Sequence, residues 1–250
     1  MMFMAEDESI DVEKTEAQAQ KTEQQRAGAS RNAAPKKRAK KVAASAQGFS
    51  DQLLFGRYSL KDISIEDLSL APYINLRQHA YPNIFGRRKD QSYYNSHINI
   101  VERLINKLMR GGTGKKVAGK VIRTEGRLQG RKLKATHIVE DAFSLINEKT
   151  GKNPVQVLIE SLQNAAPIED VTRVRYGGIN YNVAVGISSK RRLDVALRNI
   201  ALAALIGGFN KKKSVADSLA SEIMLAASNS QDSYAIKKRQ EVERIAKRAR

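Results

Sequence analysis

The sequence contains no cysteine and only three histidines, and both shortages limit the chemistry it can support. Without cysteine there can be no disulfide framework and no thiolate metal site, which fits a reducing intracellular compartment. The histidines are scattered and show none of the spacing of a metal-binding pair such as HExxH. Glu140 and Asp141 are neighbours, so on a helix they point about 100° apart and cannot form an acid/base pair. We therefore expect no catalytic residue, no metal ligand, no cofactor and no small-molecule substrate.

Long apolar runs are also missing. The longest one, residues 200–209, has about half of the roughly 20 residues that a membrane-spanning helix needs. The opening residues, MMFMAEDESIDVEK, turn acidic at once and lack the basic-then-apolar order of a signal peptide. We therefore expect a soluble, cytoplasmic protein with no membrane partner.

Negative charge is in short supply, because 26 Asp and Glu face 44 Lys and Arg, which gives a formal net charge of +18. Such an excess of positive charge is typical of proteins that bind polyanions. A soluble protein that happens to be basic is the plainer alternative. With 250 residues, 41% of them hydrophobic, the chain is long enough for one substantial domain with a packed core.

The first fifty residues are poor in aromatic side chains, since only Phe3 and Phe49 occur there. Their Ala, Gln, Glu, Ser and Lys cannot bury enough apolar surface to offset the entropy of ordering. This composition predicts a disordered N-terminal tail over residues 1–50 and a folded domain over residues 51–250. Within the tail, the block APKKRAKK could be a solvated segment, a localisation signal or a phosphate-binding arm.

Helical periodicity dominates from residue 95 onward and predicts three helices in the first half of the domain. The first has an apolar stripe within HINIVERLINKLM, with Asn95 or Ser96 as its cap. The second ends at Gly151. The third begins with Asn153 as its cap and Pro154 at its first position, where a missing N–H costs nothing. Between residues 56 and 95 we expect irregular structure with a short strand or helical turn.

Three more helices are predicted towards the C-terminus. The fourth runs from about Arg191 to Ile206 and is stopped by Gly207, and the fifth has Ser214 as its cap. The last one is a basic amphipathic helix, whose apolar side consists of Ile236, Val242, Ile245 and Ala246. The expected fold is mainly α, a bundle of about six helices.

A charged hairpin interrupts these helices. The stretch TRVRYGGINYNVAVGISSKRR has five basic residues, no acidic one, and a Gly-Gly pair that suits a tight turn. It predicts a protruding two-stranded β-hairpin at about residues 171–186. Arg173 and Arg175 would project from one face, with Val171 and Val174 on or near the other. An isolated charged ribbon usually needs a partner, and nucleic acid fits the charge, although the hairpin could instead pack on its own helices.

Several strings resemble a known family. NIVERLINKLM, KTGKNPVQVLIESLQNAAPIEDVTRVRYGG, RRLDVALRNIALAA and SYAIKKRQEVERIAKRAR are similar to the universal small-subunit ribosomal protein seven in its archaeal and eukaryotic form. The resemblance covers roughly residues 56–250 in collinear order. It implies a helical body with a protruding hairpin. It implies that the protein binds the three-prime major domain of small-subunit ribosomal RNA. It also implies that the protein starts assembly of the subunit head, with its hairpin near the exit site for transfer RNA and messenger RNA and with head and platform proteins as neighbours.

The resemblance also implies a set of RNA-contacting cations. They precede the second helix, lie on the hairpin, follow it, or begin the last helix: Arg131, Lys132, Arg173, Arg175, Lys190, Arg191, Arg192, Lys237, Lys238 and Arg239. The connection over residues 111–130 is longer than in the bacterial form, and residues 1–50 have no counterpart in the family. We expect a structural ribosomal RNA-binding protein. The alternative is a basic architectural DNA-binding protein, which folded-RNA preference would distinguish.

Overall fold

The computed structural model describes residues 53–61, 63–77, 79–83, 97–109, 116–117, 120–121, 128–209 and 211–250. The predicted disordered tail over residues 1–50 lies outside these described residues. The described residues form six α-helices and four strands: α1 (Ile100–Leu108), α2 (Lys132–Thr150), α3 (Pro154–Ala165), α4 (Ser189–Gly208), α5 (Val215–Ala227), α6 (Tyr234–Arg248), β1 (Lys116–Val117), β2 (Lys120–Val121), β3 (Glu169–Tyr176) and β4 (Ile179–Gly186). The mainly α architecture with a two-stranded hairpin is therefore confirmed.

The core lies between the helices and is closed by the segment that precedes them. Phe143 of α2 is fully buried and makes edge-to-face contacts with Phe55 and Tyr58, whose ring centroids each lie 6.2 Å away. Such pairs stabilise a core beyond their area burial. Within residues 56–61, 63–77 and 79–83 the structure is irregular as expected, with one 3₁₀ turn at Ala71–Tyr73. This segment therefore packs on the helices and is part of the folded body. Residues 84–95, which the same prediction covered, lie outside the described residues.

Side-chain caps define where most helices begin. The Asn153 side chain accepts a hydrogen bond from the amide of Val155, with Pro154 at the first helical position as predicted. Ser214 and Asp217 form a reciprocal capping box at α5. The predicted cap of α1 was wrong, because Asn99 caps it and donates its amide N–H to Arg77 O at 2.8 Å. Asn99 therefore both caps α1 and ties it to the segment that precedes it.

Gly207 does not end α4, which begins at Ser189 and continues through Gly208. Its role is close packing, because a Cβ at Gly207 would lie 3.0 Å from Ser218 Cβ. The same holds at Gly208, where a Cβ would lie 3.1 Å from Val215 Cγ2. The glycine pair therefore lets the end of α4 approach the start of α5, and the predicted stop at Gly207 was wrong.

The hairpin is a continuous antiparallel ladder from the pair Glu169 and Gly186 to the pair Tyr176 and Ile179. Gly177 and Gly178 form its turn with φ angles of 58° and 85°, which is the positive region that a two-residue hairpin turn requires. Strand β3 begins two residues before the predicted start at about residue 171. No described helix is long and apolar enough to cross a membrane.

Candidate nucleic-acid interface

The hairpin has two chemically different faces. Because side chains alternate along a regular ladder, Arg173 and Arg175 share one face with Asn180 and Asn182, their partners in β4. Val174 lies on the other face, as predicted, but Val171 falls on the arginine face, so its predicted position was wrong. The arginine face can donate hydrogen bonds from guanidinium and amide groups, which suits phosphate and base edges.

The two hairpin arginines are available for a ligand. Both are exposed, and neither has a hydrogen-bond or carboxylate partner within the described part of the chain. The neighbouring carboxylates lie at the root of the hairpin, where Asp170 pairs with Arg191 and Glu169 with Arg250. The arginine face of the hairpin thus carries uncompensated positive charge.

The root of the hairpin is fixed to the helical body by α4 and α6. The amide of Ile187 donates to Ile168 O at 3.0 Å, and the amide of Ile168 donates to Glu243 Oε1 of α6 at 3.2 Å. Arg250, at the end of the chain, adds its ion pair with Glu169. The hairpin therefore projects from a held base, which gives the cations on its face a defined position.

Arg191 and Arg192 are neighbours in sequence and have different surroundings. Arg191 is 66% exposed and makes one ion pair with Asp170 at 3.2 Å. Arg192 is only 12% exposed and binds Asp67 Oδ2 at 3.0 Å, Pro167 O at 3.2 Å and the Ser69 hydroxyl. These hydrogen bonds of the guanidinium group join three chain segments, so the group is already occupied by internal partners.

The predicted cations near α2 also separate into two kinds. Arg131 stands exposed at the start of α2 and makes no side-chain cap. The Lys132 ammonium lies 2.6 Å from Glu102 Oε1 and 2.8 Å from Asn83 Oδ1. Glu102 itself is buried in α1. Lys132 thus links α2 to α1, whereas Arg131 faces outward.

The three basic residues that begin α6 likewise differ. Lys237 is exposed, and no partner for it is found among the described residues. Lys238 pairs with Glu241 at 2.5 Å, and their hydrogen bond raises the pKa of Lys238 and lowers that of Glu241. Arg239 is half-buried and donates to Asn164 O at the end of α3. Lys190 is half-buried at the start of α4.

The comparisons with known proteins agree on one family. The Ribosomal protein S7p/S5e family model matches residues 77–250. Small ribosomal subunit protein uS7 of Methanothermobacter thermautotrophicus is 44% identical over 197 residues, which cover 79% of this chain and 98% of the relative. The uS7 protein of Archaeoglobus fulgidus is 43% identical over 205 residues, which cover 81% of this chain and 98% of the relative. The uS7 protein of Picrophilus torridus is 42% identical over 200 residues, which cover 80% of this chain and 100% of the relative.

This chain belongs to the ribosomal protein S7p/S5e family. The three relatives are archaeal, which confirms the predicted archaeal and eukaryotic form. Membership confirms a structural ribosomal protein of the small subunit that is not an enzyme, and with it the predicted localisation to the ribosome. Within the described residues, no group of three or more His, Cys, Asp and Glu could hold a metal ion.

Two features of this S7p/S5e family member escaped the sequence prediction. One is a run of exposed lysines, Lys211, Lys212 and Lys213, in the connection between α4 and α5. Three consecutive lysines after a glycine pair were a visible signal. The other is the apolar face of the hairpin, which carries Tyr176 and Tyr181. Apolar and polar residues alternate along both strands in the sequence, but the register in the structure is needed to show that the apolar ones share a face.

We predict that removing the hairpin tip leaves the helical body folded. Residues 175–180 would be replaced by Asn-Gly, which closes a two-residue turn between the paired residues Val174 and Tyr181. All six removed residues are exposed, so little core burial is lost. Far-ultraviolet circular dichroism and the thermal midpoint should match those of the unaltered protein. A loss of helical signal would mean that the tip is part of the core.

Proposed function

We propose that this protein binds the three-prime major domain of small-subunit ribosomal RNA and thereby starts assembly of the subunit head. The observation that carries the proposal is the arginine face of the hairpin, with its uncompensated cations on a fixed base. Phosphate contacts from such cations supply most of the affinity of a basic protein for RNA. Membership of a ribosomal protein family makes ribosomal RNA the relevant polyanion.

The cations divide into outward-facing contacts and internal links. We propose that the first group contacts RNA directly: Arg131, Arg173, Arg175, Arg191 and Lys237. Arg192, Lys132 and Arg239 are engaged by internal partners, namely Asp67, Glu102 and the carbonyl of Asn164. Their contribution to RNA binding is then to hold the segments that carry the outward-facing cations. Lys190 and Lys238 stay predicted contacts at the margins of the same surface.

Lys211, Lys212 and Lys213 extend the proposed interface. They are exposed between α4 and α5, and the only acidic residue close in sequence, Asp217, is engaged with Ser214. Those hydrogen bonds lower the pKa of Asp217 and keep it ionised at the start of α5. Three flexible ammonium groups are suited to phosphates and carry no base information. We therefore include them as positioning contacts to RNA.

The position of the hairpin on the ribosome is the finer part of the proposal. A narrow ribbon on a fixed base can reach a neighbouring surface without moving the helical body. We propose that the tip lies near the exit site for transfer RNA and messenger RNA, beside proteins of the head and platform. The tip variant described above should then assemble into subunits and show its defect in translation, at the exit site.

The proposed function is tested by comparing two polyanions at one salt concentration. The protein should bind a folded fragment of the head RNA more tightly than duplex DNA of equal length, and should co-sediment with small subunits after a high-salt wash. Phosphate contacts weaken steeply with salt, so a protein held by them alone is stripped off, whereas contacts to bases and ribose hydroxyls of a folded RNA resist the wash. Equal affinity for duplex DNA would contradict the proposal and favour an architectural DNA-binding protein.

A further inference from the structure

The face of the hairpin opposite the arginines is apolar and open. From Thr172 and its partner Val183 to the tip it carries no charge, and its apolar side chains are Val174, Tyr176, Ile179, Tyr181, Val183 and Val185. At the root the face also holds Asp170, which stands opposite Val185 and pairs with Arg191. All six apolar side chains are exposed to solvent, although apolar residues of this kind are usually buried in a core. Contiguous exposed apolar side chains mark interaction surfaces in proteins. We therefore expect this face to bind a partner.

The face changes in character from its root to its tip. The side chains nearest the root, Val183 and Val185, are aliphatic and the least exposed of the six. Towards the tip stand the two tyrosines, with Tyr181 50% and Tyr176 79% exposed. Neither ring contacts another aromatic side chain in the described part of the structure. The tip thus offers two open ring faces.

The register sets the distance between the tyrosines. Tyr176 is paired with Ile179 and Tyr181 with Val174, so the two tyrosines are diagonal neighbours on one face. Diagonal neighbours in an antiparallel pair lie about 7–8 Å apart. Successive stacked bases are separated by about 3.4 Å, so one flat base between two rings needs about twice that distance. The backbone spacing of the two tyrosines is therefore compatible with rings that hold one base between them.

The charge around the tyrosines favours a nucleic acid over a protein surface. No acidic residue occurs between Val171 and Leu193, and Arg173 and Arg175 project from β3, the strand that also carries Tyr176. A base inserted between the rings would bring its flanking phosphates to the edge of the ribbon, within reach of long arginine side chains. An acidic phosphate backbone therefore complements the hairpin where the rings accept the base.

We propose that Tyr176 and Tyr181 form a clamp that holds one unpaired RNA base between their rings. The inference rests on the proposed RNA-binding function and specifies which part of the RNA the hairpin binds. The base must be unpaired, because a base inside a helix already has both faces stacked. The clamp should accept any of the four bases, since each has an aromatic face.

The test uses the full chain and a single-stranded RNA of about ten nucleotides that carries one 2-aminopurine, with a duplex of the same sequence alongside. The double variant Tyr176→Leu/Tyr181→Leu keeps the apolar area and removes the rings. It should bind the single strand about tenfold more weakly, with an unchanged salt slope, since no phosphate contact is lost. The stacking quench of 2-aminopurine should disappear with it.

The matched control is Tyr176→Phe/Tyr181→Phe, which keeps both rings and loses only the hydroxyls. It should retain the affinity and the quench of the unaltered protein. Binding of the duplex should be the same in all three proteins, because the clamp has no access to paired bases. Both variants change exposed side chains, so circular dichroism should show an unaltered helical body.

Two results separate the clamp from the function on which it rests. If the leucine variant binds the single strand and quenches 2-aminopurine like the unaltered protein, the clamp is overturned and an apolar protein surface becomes the occupant of this face. If the unaltered protein binds head RNA no better than duplex DNA, the proposed RNA-binding function fails. The first result leaves binding of the folded head RNA intact, so the two failures are distinguishable.

Discussion

Replacing Arg192 by alanine is expected to lower the free energy of unfolding by about 2–4 kcal/mol, because it leaves one oxygen of the partly buried Asp67 carboxylate and the carbonyl of Pro167 without the guanidinium donor. Arg192 binds Asp67, Ser69 and Pro167 O, and so joins the segment before α1, the connection between α3 and β3, and the start of α4. Arg192→Lys should recover only part of this loss, since an ammonium cannot make the same fork of bonds. Urea unfolding measures both values.

The neighbouring arginine is the matched control for this prediction. Arg191 is 66% exposed and has one ion pair, so Arg191→Ala should cost less than about 1 kcal/mol of stability. Arg191→Ala should instead weaken RNA binding and lower the salt slope by about one unit. Equal destabilisation by the two alanine variants would show that the internal contacts of Arg192 are not what stabilises the fold here.

The pH dependence gives an independent check on the Arg192 contact. Burial would raise the pKa of Asp67, but hydrogen bonds from Ser69 and the charge of Arg192 outweigh it and lower this pKa overall. A carboxylate with a lowered folded-state pKa contributes fully above its unfolded-state pKa of about 3.9 and loses that contribution as pH falls through the folded-state value. The stability gap between the unaltered protein and Asp67→Asn should be constant near pH 7 and close below about pH 4.

The parts of the fold that local sequence decides were predictable. The start of α3 depends on Asn153 and Pro154, which lie at its own N-terminus, and the hairpin turn depends on Gly177 and Gly178. These signals act within four residues of where they are needed. The apolar period of the helices likewise depends on near neighbours.

The role of individual cations was not predictable in the same way. Arg191 and Arg192 stand in the first turn of α4 about 100° apart, so only one of them can face the body. The partner that decides between them, Asp67, is 125 residues away in the sequence. Lys132 depends in the same way on Glu102, which is 30 residues away. Only tertiary packing brings such pairs together, so a run of basic residues in the sequence cannot separate contacts from internal links.

The last turn of α6 shows the same limit for apolar residues. Ile245 was predicted on the apolar side of this helix, but it is exposed, whereas Ala246 beside it is buried. The body buries only Ala235, Ile236 and Ala246 of α6, and the helix also holds the hairpin root through Glu243. Periodicity indicates which residues share a face, and the neighbouring elements decide how much of that face is covered.

The largest functional effect is expected when four outward-facing cations are neutralised together. The variant Arg173→Gln/Arg175→Gln/Arg191→Gln/Lys237→Gln removes four proposed phosphate contacts and no buried group. At about 1 kcal/mol per contact, affinity for a head RNA fragment should fall roughly a thousandfold. The slope of log affinity against log salt should become shallower by about four units.

A second variant with the same loss of charge separates contacts from general electrostatics. Lys134, Lys149, Lys152 and Arg198 are exposed and lie outside the proposed contact set. Their replacement by glutamine removes four positive charges as well, so both variants have the same net charge and the same long-range attraction to RNA. The control should lose affinity only slightly, and its salt slope should stay near that of the unaltered protein, because counterions are released only where a phosphate is neutralised. Equal losses in the two variants would mean that the protein attracts RNA by its overall charge, and that the arginine face of the hairpin and the start of α6 are not the interface.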